Sequence, residues 1–396
     1  MRRDGSTDKK LGLRTLFGMP KRDFLRQHWP EVSHVGHGAV DRLGLLATLP
    51  AMRDLGVLLG RLRKPVTIFG DKGFQTEVPA ATARDLYERG DTLYITNVEN
   101  AVPELRSPRA ELAADLGVHP DHVSIEAFAS KRSLGVPMHY DFDVNFNVQL
   151  RGTKTWRLAP NHHVVNPTES YHAKATDDHG PPHARRPLPR RMPRNSETVE
   201  LREGSVMFLP RGVWHETGVA GESFALNFTV QPPTWKNVVL EELDRRLGNL
   251  AEWRAYPLGL AGDERSRARL ARELATLLPD LARVVDGLDA ESLLQSASVS
   301  GERFHWPADA SKSLRDEGVR GSNWKLRVRR PNAGAEIEVD TELLPLVQWL
   351  VDRPSAFTAQ DARAACSSVA PDLVELTLAY LLKEGALQRD AGQQVH

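Results

Sequence analysis

The stretch MHYDFDVNFNVQLRGTKTW, residues 138 to 156, constrains the chain more than any other, because it alternates like a strand but carries its polar residues in an unexpected place. Successive side chains of a strand point to opposite sides. One side carries His139, Asp141, Asp143, Asn145, Asn147 and Gln149, and the other carries Tyr140, Phe142, Val144, Phe146, Val148 and Leu150. An ordinary half-buried strand turns such a polar side to water. Here the sequel GTKTWRL puts Lys154 on the side of Trp156 and Leu158, which is expected to be buried. A lysine among core residues requires a counterion. The polar side is therefore read as the lining of an interior.

Apolar runs of similar length recur on both sides of this stretch: RKPVTIFG, GDTLYITN, HVSIEAFA, KTWRLAP, SVMFLP and SFALNFTV. Short strands between Gly, Pro and Asp turns predict an all-β barrel or sandwich over residues 1–235. The pattern then changes. Leu240, Leu243, Leu247, Leu250 and Trp253, then Leu270, Leu274, Leu277, Leu281, Val284, Val285 and Leu288, recur at spacings of three or four, which predicts amphipathic helices over 236–310. A Gly-rich, basic connection, EGVRGSNWKLRVRRPNAGAE, leads to two or three short helices. The outline of residues 311–396 is that of a winged-helix-like module.

The charge balance excludes some partners. With 52 basic and 52 acidic residues the net charge is zero, so no global field favours nucleic acid or an anionic membrane. Residues 341–396 carry seven acidic and four basic residues, a poor grip for phosphates, and direct DNA binding is not expected despite the basic WKLRVRRP before them. Cys366 is the single cysteine, which excludes an intrachain disulfide framework and a Cys-rich zinc site. The N-terminus MRRDGSTDKK has no apolar run behind it, and nowhere do 18 consecutive apolar residues occur. A cytoplasmic protein without membrane association is expected.

His139 and Asp141, two residues apart on a strand, share a side and can offer an imidazole nitrogen and a carboxylate oxygen to one ion. LPRGVWHETG places His215 after another strand-like run, as a third ligand. Two histidines and one carboxylate that leave coordination positions open form the facial triad of non-haem Fe(II) oxygenases, whereas zinc more often takes a closed tetrahedral set. The chain also contains a decoy, His119 and Asp121 in HPD, which sits on a proline turn. His162, His163, His172, His179 and His183 have no fixed spacing and are read as exposed histidines.

His139, Tyr140, Asp141, Asn145, Phe146, Gln149, Gly152 and Lys154, together with PRGVWHETG and FALNFTV, resemble the jumonji C class of Fe(II)- and 2-oxoglutarate-dependent oxygenases, above all its asparaginyl hydroxylases. The resemblance implies a double-stranded β-helix, the jelly-roll cupin fold, in the mainly β catalytic core. It also implies Fe(II) on His139, Asp141 and His215, with 2-oxoglutarate and dioxygen as cosubstrates. Lys154 would pair with the distal carboxylate of 2-oxoglutarate, and Asn145, Asn227 and Tyr140 would belong to the cofactor-binding pocket. Val136 stands where asparaginyl hydroxylases usually carry a threonine.

The opening MPKRDFLRQHWP, and the order of barrel, helices and C-terminal module, resemble the ribosomal oxygenases. That likeness implies hydroxylation of a peptidyl side chain, with a ribosomal protein as one such substrate, and a homodimer held by the helical segment. Two alternatives stay open: the same chemistry on a small molecule or peptide natural product, and a non-catalytic metal-binding cupin regulator with a DNA-binding winged helix. The loop PPHARRPLPRRMPRN, residues 181–195, carries five arginines and no acid, and by its order in the chain it is expected near the mouth of the site.

Overall fold

What packs on the apolar side of residues 144–152 explains their alternation. The structure, a computed structural model, describes residues 11–389 apart from 70–74, 132–134, 174–180, 182, 186, 220, 299–302, 308–309, 317–323, 331–332, 354–356 and 367–368. It divides into two units, Met1–Pro232 and Pro233–His396.

In the first unit the strands are β1 (His34–Gly36), β2 (Val66–Phe69), β3 (Gln75–Val78), β4 (Thr92–Ile95), β5 (Val123–Ser130), β6 (His139–Tyr140), β7 (Val144–Gly152), β8 (Lys154–Ala159), β9 (Tyr171–His172), β10 (Glu197–Leu201), β11 (Val206–Leu209), β12 (Trp214–Gly218) and β13 (Ser223–Val230). They form two antiparallel sheets, one in the order β1-β11-β7-β13-β5-β4-β2-β3 and the other in the order β10-β8-β12-β6-β9. Together they build the jelly-roll core that the resemblance implied.

Phe146, Val148 and Leu150 of β7 join Phe208 of β11 and Phe224, Leu226 and Phe228 of β13 in one core cluster. Leu13, Leu16, Phe17 and Phe24, from helices Leu13–Phe17 and Lys21–Gln27, complete it. Phe24 meets the Phe208 ring edge-on at 5.3 Å and stacks on Phe17 at 4.7 Å. Each such ring stabilises the fold by roughly 1.5–3 kcal/mol relative to exposure. The apolar side of the large sheet is thus covered, which leaves Asn145, Asn147, Asn227 and Thr229 facing the interior between the sheets.

Gly152 makes the turn from β7 to β8 in the left-handed region, at φ 67°, and a Cβ there would lie 1.8 Å from the Glu222 carbonyl oxygen. Only glycine fits both the conformation and the approach. On β8, Lys154, Trp156 and Leu158 then alternate inward as expected, each buried.

The second unit holds the predicted helices, at Trp235–Leu247, Glu264–Asp286 and Ala290–Ser298, and the short helices Leu344–Asp352, Ala359–Ala365 and Pro371–Lys383. Its strands are β14 (Arg303–His305), β15 (Ser311–Asp316), β16 (Trp324–Arg330), β17 (Ala333–Val339), β18 (Phe357–Thr358) and β19 (Gln388–Arg389). One expectation is corrected here. The segment read as a Gly-rich connection contains β16 and the first half of β17, the last two strands of a β15-β16-β17 meander. Leu326, Val328, Ile337 and Val339 alternate into the core of this unit, a pattern masked in the sequence by the arginines and glycines between them. No helix among the described residues is long and apolar enough to cross a membrane.

Candidate metal centre and its cavity

His139 of β6 stands directly opposite His215 of β12 across the small sheet, and Asp141 follows β6 by one residue. One ligand atom from each of His139, Asp141 and His215 lies within 4.8 Å of the others, and among the described residues this is the one His/Cys/Asp/Glu group with such geometry. Asp141 Oδ1 is 3.9 Å from His139 Nε2, and Asp141 Oδ2 is 3.5 Å from His215 Nε2.

Each histidine is held from behind. His139 Nδ1 lies 2.7 Å from the Pro137 carbonyl oxygen, and His215 Nδ1 lies 2.9 Å from that of Val213. A carbonyl only accepts, so Nδ1 carries the proton in both rings and the Nε2 lone pairs point toward Asp141. Burial, followed by the repulsion of His215, pushes His139 down to about 3; burial pushes His215 down to about 4. Both rings are neutral at physiological pH, the form that ligates a metal.

The triad opens into a cavity of about 230 Å³ whose lining includes Asn145, Asn227, Lys154, Trp156, Thr217 and His172. Lys154 is 6% exposed, with its ammonium 4.7 Å from the Trp156 ring and 5.0 Å from that of Phe128. No hydrogen bond or ion pair ties it to a protein group among the described residues, and burial lowers its ammonium to about 8. A buried cation without a protein anion, on the wall of a cavity that also holds three convergent ligand atoms, fits a carboxylate-bearing chelator. The donor set, two imidazoles and one carboxylate, fits Fe(II).

Asn145 and Asn227 line the cavity and bond to each other, Asn227 Nδ2 donating to Asn145 Oδ1 at 2.7 Å, while Asn145 Nδ2 donates to Asp141 Oδ2 at 3.1 Å. Tyr140 is not in the cavity. It alternates to the outer side of the small sheet, where its ring meets Trp214 edge-on at 4.8 Å, so its place in the expected pocket is corrected by the same two-residue period that brings His139 inward. Of the loop 181–195, none of the described residues lines the cavity, and Ala184, Leu188 and Met192 pack against the cluster of Met138, Tyr140 and Trp214.

His172, read from the sequence as an exposed histidine, is exposed, and it also pairs with His139 through β9 and stacks on it at 4.8 Å with the rings 11° apart. Val136 does line the cavity, and its backbone N–H donates to Thr217 Oγ1 at 2.9 Å, so a threonine from β12 stands beside the position where the resemblance lacks one. Sequence reasoning also missed Glu126. Its alternation with Phe128 in HVSIEAFA, opposite Ile125 and Ala127, was the available signal. The decoy His119 caps the short turn Pro120–His122, its ring nitrogen accepting from the Asp121 N–H, and does not join the triad.

Residues 106–238 match the family described as JmjC domain. A protein of Bacillus subtilis (strain 168), described as uncharacterized protein YxbC, is 28% identical over 288 residues, which cover 69% of this chain and 87% of that protein. Among solved structures, the ribosomal oxygenase YcfD from Escherichia coli in complex with cobalt and 2-oxoglutarate is 16% identical, with a TM-score of 0.43 over 95% of this chain and 99% of that chain. The same protein in complex with cobalt and succinic acid gives 16% identity and a TM-score of 0.40, with coverage of 95% and 99%.

Proposed function

We propose that this chain, whose residues 106–238 match the JmjC domain family, is an Fe(II)- and 2-oxoglutarate-dependent dioxygenase that hydroxylates a peptidyl side chain. The observation that carries this reading is one cavity holding both the convergent His139, Asp141 and His215 and the buried Lys154, which has no anionic partner among the described residues. When bound, Fe(II) with 2-oxoglutarate and dioxygen supplies the oxidative decarboxylation to succinate and the insertion of oxygen into a C–H bond.

The chain's own residues do the rest. His139, Asp141 and His215 are the proposed ligands, and the backbone bonds at both Nδ1 atoms orient the rings in advance. Lys154 is proposed to hold the far carboxylate of 2-oxoglutarate, with Phe128 and Trp156 excluding water around that pair. Asn145 and Asn227 set the polar wall beside Asp141.

A peptidyl substrate is favoured by the likeness of the opening segment and segment order to ribosomal oxygenases, and ribosomal proteins are the first class to assay. Self-association through the helices of the second unit is part of this reading, supported by Leu240, Leu274, Leu278 and Leu294, which stand about half exposed.

The test is succinate formation from 2-oxoglutarate after the metal-free protein is reconstituted with Fe(II) in air. Wild type is expected to turn over slowly without substrate and His139→Ala not at all; equal rates in the two would sink the assignment.

A further inference from the structure

We infer that Glu126 is a positioning residue that orients the carboxylate of Asp141 through the side-chain amides of Asn227 and Asn145. The inference rests on the reading of the triad as a metal centre.

Glu126 lies on β5, directly opposite Asn227 of β13, and Asn145 of β7 stands opposite Thr229 on the other edge of β13. Three adjacent strands therefore carry one line of side chains toward Asp141. Asn227 Nδ2 lies 3.1 Å from Glu126 Oε2, 2.7 Å from Asn145 Oδ1 and 2.8 Å from Thr229 Oγ1. Thr229 Oγ1 in turn donates to Asn145 Oδ1 at 3.4 Å. Asn145 Nδ2 ends the line on Asp141 Oδ2, at 3.1 Å.

Direction is the point of this arrangement. An amide can face a neighbour with its oxygen or its NH₂, and the two orientations fill nearly the same space. The carboxylate oxygen of Glu126 that faces Asn227 accepts, so Asn227 must present its NH₂. Asn145 must then turn its oxygen to Asn227, and its NH₂ is left to donate to Asp141. The reverse orientation would set two NH₂ groups against each other at one end and an amide oxygen against the Asp141 carboxylate at the other. Tyr94 anchors Glu126 from behind, donating its hydroxyl to Oε1 at 2.6 Å. Burial raises the Glu126 carboxyl, and the donors from Tyr94, Asn227 and Thr229 offset part of that rise.

The experiment titrates metal-free full-length protein with cobalt(II) chloride, reading affinity by calorimetry and coordination by the visible d–d bands. Glu126→Leu removes the terminal acceptor and is expected to weaken cobalt binding 10- to 100-fold, the usual effect of losing a partner of a metal ligand. Glu126→Gln can still turn a carbonyl to Asn227 while Tyr94 accepts its NH₂, and is expected to bind within a few-fold of wild type. Asn227→Ala breaks the line one link nearer and is expected to match the leucine variant, which keeps the test open should that variant not fold.

In an Asn145→Ala background, Glu126→Leu is expected to add nothing, since the link it acts through is gone. Wild-type affinity in Glu126→Leu, or an equal further loss in the Asn145→Ala background, overturns the inference while leaving the metal centre intact. Failure of wild type to bind cobalt overturns the metal centre itself.

Discussion

His139 and His215 face each other as direct cross-strand partners on β6 and β12, with ring centroids 4.0 Å apart and planes tilted by 54°. Two imidazoles this close and this buried cannot both be charged, and each is lowered well below the ordinary histidine value, His139 to about 3 and His215 to about 4. The pairing fixes two of the three proposed ligands by backbone register, with the third offered by Asp141 two residues along the chain from His139.

A pH dependence follows for the metal-free protein. Above about pH 6.5 both histidines are neutral folded and unfolded, and they contribute nothing to the slope. As pH falls from there toward 4, the unfolded chain takes up protons that the folded site refuses. Stability should then drop by about 1.4 kcal/mol per pH unit for each histidine. Denaturant melts of wild type and of the H139Q/H215Q variant between pH 7 and 4 should diverge accordingly; parallel curves would show that the site does not exclude the proton.

Lys154 should be a liability to the free protein. Its ammonium is lowered to about 8, so the cost of burying it is fully present below pH 8 and disappears as pH rises toward the unfolded value of about 10.4. Lys154→Met should stabilise the metal-free protein at pH 7 by about 2 kcal/mol, with the gain shrinking above pH 8. The same substitution should abolish the increase in Tm that 2-oxoglutarate and cobalt produce in wild type. A destabilised variant at pH 7 would mean that Lys154 has a protein partner in solution.

Tyr140 should tolerate loss of its hydroxyl. The oxygen is buried without a hydrogen-bond partner among the described residues, and an unsatisfied polar atom costs about 1–3 kcal/mol. Tyr140→Phe should be neutral or slightly stabilising and should leave cobalt and 2-oxoglutarate affinity unchanged in calorimetry. Weakened cosubstrate binding would return Tyr140 to the pocket.

Gly152→Ala should be among the more damaging single-methyl changes in the chain. The left-handed backbone costs about 1–2 kcal/mol for alanine, and the Glu222 carbonyl oxygen at 1.8 Å must also move. A loss exceeding about 2 kcal/mol is expected in thermal denaturation, and because the turn sets the register of β8, cosubstrate affinity should fall with it. A variant as stable as wild type would show that β7 and β8 are joined differently.

Sequence patterning alone determined a good deal. The period of two in residues 138–156 assigned His139, Asp141, Asn145 and Asn147 to one side and Phe146, Val148 and Leu150 to the other, because side-chain direction along a strand is a local property of the backbone. The inward Lys154 followed from the same rule. The rule also put Tyr140 on the opposite side, with Trp214, and it was the resemblance that had drawn it into the pocket; β16 and β17 were hidden because arginines and glycines broke up their apolar residues.

What the tertiary structure alone decided is which strands become neighbours. His215 lies 76 positions from His139 in the chain, and only the antiparallel pairing of β6 with β12 places their rings side by side. Alternation could put Glu126 on the side of Phe128, but what that side faces, like the place of His172, is decided by strand pairing, β5 with β13 and β9 with β6. Alternation is settled residue by residue, whereas register between distant strands is set by the packing of the whole core, where a slip of one residue would turn every side chain to the wrong face.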